Sequence, residues 1–136
     1  MRRLHADWQA RRRGGKLPAR GDFDPADLSY VPGYLSLFDV QRDPLRFVFR
    51  LHASNNAQRL GLDLTGKELA AVPNPGLAER IRAQFELAVA TRAPVAQLRT
   101  GDFADGAWLY EVLVLPLAAD GETVDMLMSA LVWNGR

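Results

Sequence analysis

The ionisable residue in the most suggestive setting is Glu111. It lies on an alternating run, 107–117, and shares one strand face with Leu109, Leu113 and Leu115, which reads as the inward face. A carboxylate among apolar side chains needs a partner or a raised pKa. It can bind a polar ligand group, act as a general base, or pair with Arg99 or a helix terminus; the structural pair is the plainer reading. Tyr110 precedes it, and chain neighbours on a strand point to opposite faces, so the two cannot share a proton-transfer site. Phe47, Phe49, Phe85, Met126 and Met128 are large or adaptable apolar groups. With Leu60, Glu111 and Leu113 they make the candidate lining of a small-molecule cavity. Ordinary core is the plainer account of the same residues.

Metal and thiol chemistry find little material. His5 falls on an N-terminal helix and His52 on the polar face of a strand, and two distant histidines make a poor metal site. Cysteine is absent, which excludes disulfides, thiolate metal sites, iron–sulfur clusters and a thiol–flavin adduct. No glycine-rich phosphate loop is present, so a non-covalent flavin has no supporting motif. Asn55 and Asn56 open a short helix and read as caps. Leu4, Trp8, Trp108 and Tyr110 are the candidate interface set, and burial under the N-terminal helix explains the aromatic members equally well.

Charge is uneven along the chain. Residues 1–20 hold seven basic side chains and one acid, a net of +6, and the remainder carries −5. Such an arm can meet nucleic acid or an anionic membrane. The plainer reading is a solvated helix end, with Arg11–Arg13 just ahead of Gly14–Gly15.

The elements that must position these groups fit one domain. The chain has 136 residues, 48% apolar and 24% charged, enough for a core and a small cavity. No apolar run reaches the roughly 18–20 residues of a membrane helix, and the arginines at the start have no apolar segment behind them. A cytoplasmic location is expected. Residues 3–13 read as a helix with Leu4 and Trp8 on one face. A loop follows, with Asp24-Pro25 as a capped turn. Residues 34–40 and 45–53 read as a hairpin around Arg42-Asp43-Pro44. Ser54 caps a short helix ending at Gly61, a second short helix covers about 67–71, and 76–91 form the longest helical pattern. Three strands follow, over 94–101, 107–117 and 123–133, the last after an Asp120-Gly121 turn. Strands at both ends of a helical middle mean α+β with an antiparallel sheet. Both faces of the 107–117 strand carry apolar groups, so both need covering. The middle helices cover one, and the N-terminal helix or a second subunit covers the other.

The wording at KLPARGDFDPADL (16–28), YLSLFDVQRDPLRFVFRL (34–51), GLDLTGKEL (61–69) and LYEVLVLPLAADGETVDMLMSALVW (109–133), with Thr91 to Pro94 before the third strand, is similar to small bacterial single-domain PAS proteins. The order of elements resembles a PAS domain over nearly the whole chain. Two departures stand out: the second strand ends in RLHAS, and Val112 sits where relatives often carry a basic residue. The resemblance implies a PAS-like five-stranded antiparallel sheet, helices on one face and the N-terminal helix on the other. It divides the chain into an N-terminal helix and linker, 1–33, and a PAS-like domain, 34–136. It implies ligand sensing or partner binding, a homodimer formed through the leading helix, and no catalytic residue. Haem is not expected, because histidine is missing from 76–91; the cofactor is otherwise unknown.

Three function classes follow. The first is a sensory or regulatory module that binds an unidentified small molecule or signalling protein and signals through its N-terminal helix or dimer interface. The second is a small α+β cavity enzyme using Glu111 as acid or base. The third is an arginine-rich arm on nucleic acid or membrane. The body lacks a basic face with interleaved aromatics, so nucleic acid is not the expected partner, and the first class is preferred.

Overall fold

The computed structural model describes residues 2–23, 34–103 and 106–135, with the side chains of 102, 103, 106–108, 134 and 135 excepted. Helix α1 (Arg2–Ala10) leads into a loop with one 3-10 turn (Arg20–Asp22). Strands β1 (Leu35–Gln41) and β2 (Arg46–Leu51) form the expected hairpin. Helix α2 (Ser54–Leu60), a 3-10 turn (Leu69–Ala71) and helix α3 (Pro75–Thr91) make the middle layer. Strands β3 (Val95–Phe103), β4 (Gly106–Leu117) and β5 (Met126–Gly135) complete one sheet in the order β2-β1-β5-β4-β3, every neighbour antiparallel.

Local chemistry accounts for the boundaries. Asn74 caps α3 by accepting the Leu77 N–H at 3.1 Å, and Pro75 fills the first helical position, where its missing N–H is no loss. Gly61 ends α2 in the left-handed region at φ 82°. The residue before α2 is Ala53 rather than Ser54, and its N–H is instead taken by the Ser36 hydroxyl at 2.9 Å. The short helix expected over 67–71 tightens to a single 3-10 turn, halted by Pro73. Strand β5 begins at Met126, not 123. Asp120 Oδ1 accepts from the N–H groups of Glu122 and Thr123 at 2.8 Å, which holds that stretch as a turn. The turn expected at Asp24-Pro25 lies outside the described residues.

Cross-strand register assigns the sheet faces. Directly opposed residues point the same way, so Ser36, Phe38, Phe49, Arg99, Tyr110, Val112, Ser129, Leu131 and Trp133 share the face toward α2 and α3. Leu37, Glu111, Leu113, Leu115, Met126 and Met128 share the opposite one. Helix α1 covers that outer face. Leu4 and Trp8 are fully buried, and the Trp8 indole donates to the Pro116 carbonyl at 2.9 Å. The segment behind α1 is fastened at two points: the Leu17 N–H donates to Gly121 O, and the Ala118 N–H to Pro18 O, both at 2.9 Å.

Two expectations are corrected here. Leu4 and Trp8 are consumed within the single chain, so they are not available to a second subunit. Tyr110 faces the helices and is 1% exposed, so it is no surface group. The side chain of Trp108 lies outside the described residues. The helix expected over 3–13 ends at Ala10, so Arg11–Arg13 lie beyond its last turn. Arg11 donates to Asp7 O and Asp22 O, Arg12 to Gly15 O and Lys16 O, and Arg13 pairs with Asp22 at 3.2 Å. They close the helix end and its loop.

Candidate functional site

Between the inner sheet face and the helices lies a cavity of about 70 Å³. At roughly 10–15 Å³ per water, it holds about five waters or one small ring. Its apolar wall comes from period-two strand positions and the α3 stripe. Phe38 packs against Phe49 at 4.3 Å and against Phe85 at 4.6 Å between ring centroids. Leu77 and Ile81 continue the α3 side, with Leu60 and Val72 nearby. Opposite them, Tyr110 and Trp133 pack at 4.7 Å.

A buried polar set frames this wall. The Trp133 indole donates to Asn56 Oδ1 at 3.1 Å, which ties β5 to α2. Gln84, fully buried in α3, donates through Nε2 to the carbonyls of Val95 (3.0 Å) and Val112 (3.2 Å). Its amide oxygen accepts from Arg99, whose Nε also meets Gln97 Oε1 at 3.4 Å. Burial lowers the Arg99 guanidinium from its ordinary pKa, while the adjoining Tyr110 hydroxyl works the other way. His52 accepts the Leu64 N–H on Nδ1 at 3.1 Å and packs on Phe49 at 4.8 Å. Burial lowers its pKa, and the nearby Asp63 opposes that shift.

The structure brings Phe49, Leu60 and Phe85 of the sequence-derived lining together at this cavity. Phe47 stands behind it, edge-on to Phe85 at 5.3 Å between ring centroids. Glu111, Leu113, Met126 and Met128 are on the other side of the sheet. Glu111 is exposed there and borders a shallow depression with Arg2, His5 and Leu98. The cause is a one-residue phase error. On β4, Tyr110, Val112 and Val114 look toward the helices, and α1 makes the odd-numbered residues equally apolar. Arg99 opposes Tyr110 in the ladder, so it cannot reach Glu111 across the sheet. Glu111 therefore has no place in cavity chemistry.

Sequence reasoning missed the cavity roles of Ser36, His52, Asn56, Arg99 and Ser129. It placed His52 on a polar face, but β2 ends at Leu51 and the chain turns His52 inward. Asn56 is a buried bridge rather than a cap. One signal was available: Gln84 falls within the apolar stripe of α3, and a polar residue there implies a buried partner. Among the described residues, no three metal-ligating side chains gather, and no helix is long and apolar enough to cross a membrane.

Comparison with known proteins agrees with this architecture. A PAS domain family model matches residues 1–132. No curated protein matches the chain by sequence. Among solved structures, VqmA bound to DPO superimposes with a TM-score of 0.64 at 18% identity, over 79% of this chain and 56% of that one. A Vibrio cholerae VqmA dimer without its target DNA gives 0.64 at 17% identity, over 79% and 49%. A sensory box sensor histidine kinase from Vibrio cholerae gives 0.57 at 15% identity, over 75% and 83%. The chain thus spans about half the length of the VqmA chains. Because VqmA has a target DNA, the expectation against nucleic acid is not borne out among these neighbours. The five-stranded antiparallel sheet, its helical layer and the family match together show that the chain belongs to the PAS domain family.

Proposed function

We propose that this PAS domain is a regulatory module that senses a small molecule in the cavity between α2, α3 and the sheet. The observation that carries the reading is the cavity itself, walled by aromatic rings and bordered by buried polar groups on four elements. Small-molecule sites have this character: mostly apolar, with a few fixed polar groups. PAS domains are typically sensory, and the VqmA relative with DPO bound supports a small-molecule ligand on this fold. In this reading residues 34–136 carry the ligand. Residues 1–33 carry occupancy outward, because α1 lies directly across the sheet from the cavity. The recipient is a signalling protein or a second copy of the chain, in the cytoplasm. The VqmA dimer supports self-association.

Native and denaturing mass spectrometry of the purified protein tests this. The expected result is a small molecule retained in the native state and released on unfolding. Leu60→Trp places bulk at a half-buried position on the cavity edge and should abolish retention while the protein stays folded. Equal retention by the Leu60→Trp protein would place the ligand elsewhere and refute the reading.

A further inference from the structure

Resting on that sensor reading, we propose that the ligand is a small planar organic anion, of the aromatic carboxylate type, whose acidic oxygens meet Arg99.

Arg99 is 8% exposed and borders the cavity. A guanidinium stays protonated in a protein, so a full positive charge lies beside the cavity, on a side chain that also borders an open depression with Arg80 and Thr100. Among the described residues, the groups around it are neutral: the amide oxygens of Gln84 and Gln97 and the hydroxyl of Tyr110. Among the described residues, carboxylates pair instead with Arg11, Arg13, Arg46, Arg50, Arg82 and Arg92, none of them buried. Arg80 is the charged side chain that acts on Arg99 from α3, and it adds positive potential rather than cancelling it. Buried charges are normally compensated. Here three neutral oxygens solvate the guanidinium without neutralising it.

The surroundings fix the rest of the ligand. A guanidinium presents its donors in a planar fork that matches a carboxylate, and a carboxylate supplies the negative charge that the neighbouring neutral oxygens do not. Phe38, Phe49 and Phe85 line the same cavity and favour a flat apolar body. A volume of about 70 Å³ limits that body to about a single ring.

Benzoate and benzamide, near-isosteric and differing in charge, are the probes. Calorimetry and thermal shift on the full chain should show benzoate binding about tenfold tighter, the gap between charge-assisted and neutral hydrogen bonds. Arg99→Gln should bring the two probes within about threefold of each other, and Arg99→Lys should keep part of the preference. Should Arg99→Gln fail to fold, the wild-type and Arg99→Lys comparison still decides. Benzamide binding as tightly as benzoate overturns the anion proposal and leaves the cavity as a sensor site. A neutral molecule released from the purified protein has the same effect. No binding of either probe, with nothing released on denaturation, overturns the sensor reading together with the proposal.

Discussion

Replacing Trp8 by alanine tests the link between α1 and the sheet most directly. The indole is fully buried, and its N–H is held by the Pro116 carbonyl across nearly the whole chain. Truncating a buried tryptophan costs about 3–5 kcal/mol through lost contacts and the cavity left behind. Trp8→Phe keeps most of the apolar contact but removes the donor, leaving a buried carbonyl unpaired, for about 1–2 kcal/mol. For a chain of this size each kcal/mol moves the melting temperature by about 3–5 °C. Thermal and urea melts should therefore place Trp8→Ala about 10–20 °C below wild type and Trp8→Phe about a third as far. A Trp8→Ala shift below about 4 °C would mean that α1 is not docked in solution. That outcome would also remove the route by which residues 1–33 are proposed to carry a signal.

Two further outcomes follow from the same geometry. Burial lowers the pKa of His52, whose neutral ring accepts the Leu64 N–H. The folded state therefore takes up a proton less readily than the unfolded chain does. The stabilisation is present above the unfolded value near pH 6.5 and is lost as pH falls below it toward the lowered folded value. His52→Gln, which does not titrate, should flatten that part of a stability–pH curve; an unchanged slope between pH 7 and 5 would contradict the assignment. Glu111→Gln should shift stability by no more than about 0.5 kcal/mol, because the side chain is exposed. It should leave the retained small molecule unchanged, and loss of that molecule would return Glu111 to the cavity.

The order of elements was legible because each rests on local chemistry. Asn74-Pro75 opens α3, Gly61 closes α2, and alternation marks β2. What alternation could not supply was the sign of a face. On β4, Val112 and Val114 are as apolar as Leu113 and Leu115, and all four are buried. A strand sandwiched between two layers loses the contrast that tells inside from outside. Glu111 reads as inward because its strand partners are leucines, but Leu113 and Leu115 are buried on the outer face with Leu4 and Trp8, and Leu109 is exposed there. The outer apolar face is itself the record of a docked N-terminal helix, and Leu4 with Trp8, four apart, is its complement.

The same physics explains why the candidate site was read by its walls and not by its polar groups. Phe49, Leu60 and Phe85 announce themselves by hydropathy and spacing. Arg99, Gln84, Asn56 and His52 are polar residues whose burial is earned only by partners far away in sequence. Trp133 meets Asn56 across 77 residues, Gln84 reaches Val112 across 28, and Arg99 reaches Gln84 across 15. Their hydrogen bonds make burial tolerable, and no local pattern encodes them. For three of the four, polar satisfaction is complete enough to account for the residue by the fold alone. Asn56 bridges β5 to α2, Gln84 serves two carbonyls, and His52 takes one N–H. Arg99 is different in kind. Hydrogen bonds from neutral groups satisfy its geometry but leave its charge standing beside an aromatic cavity, so the residue that the fold explains least is the one that says most about what the cavity is for.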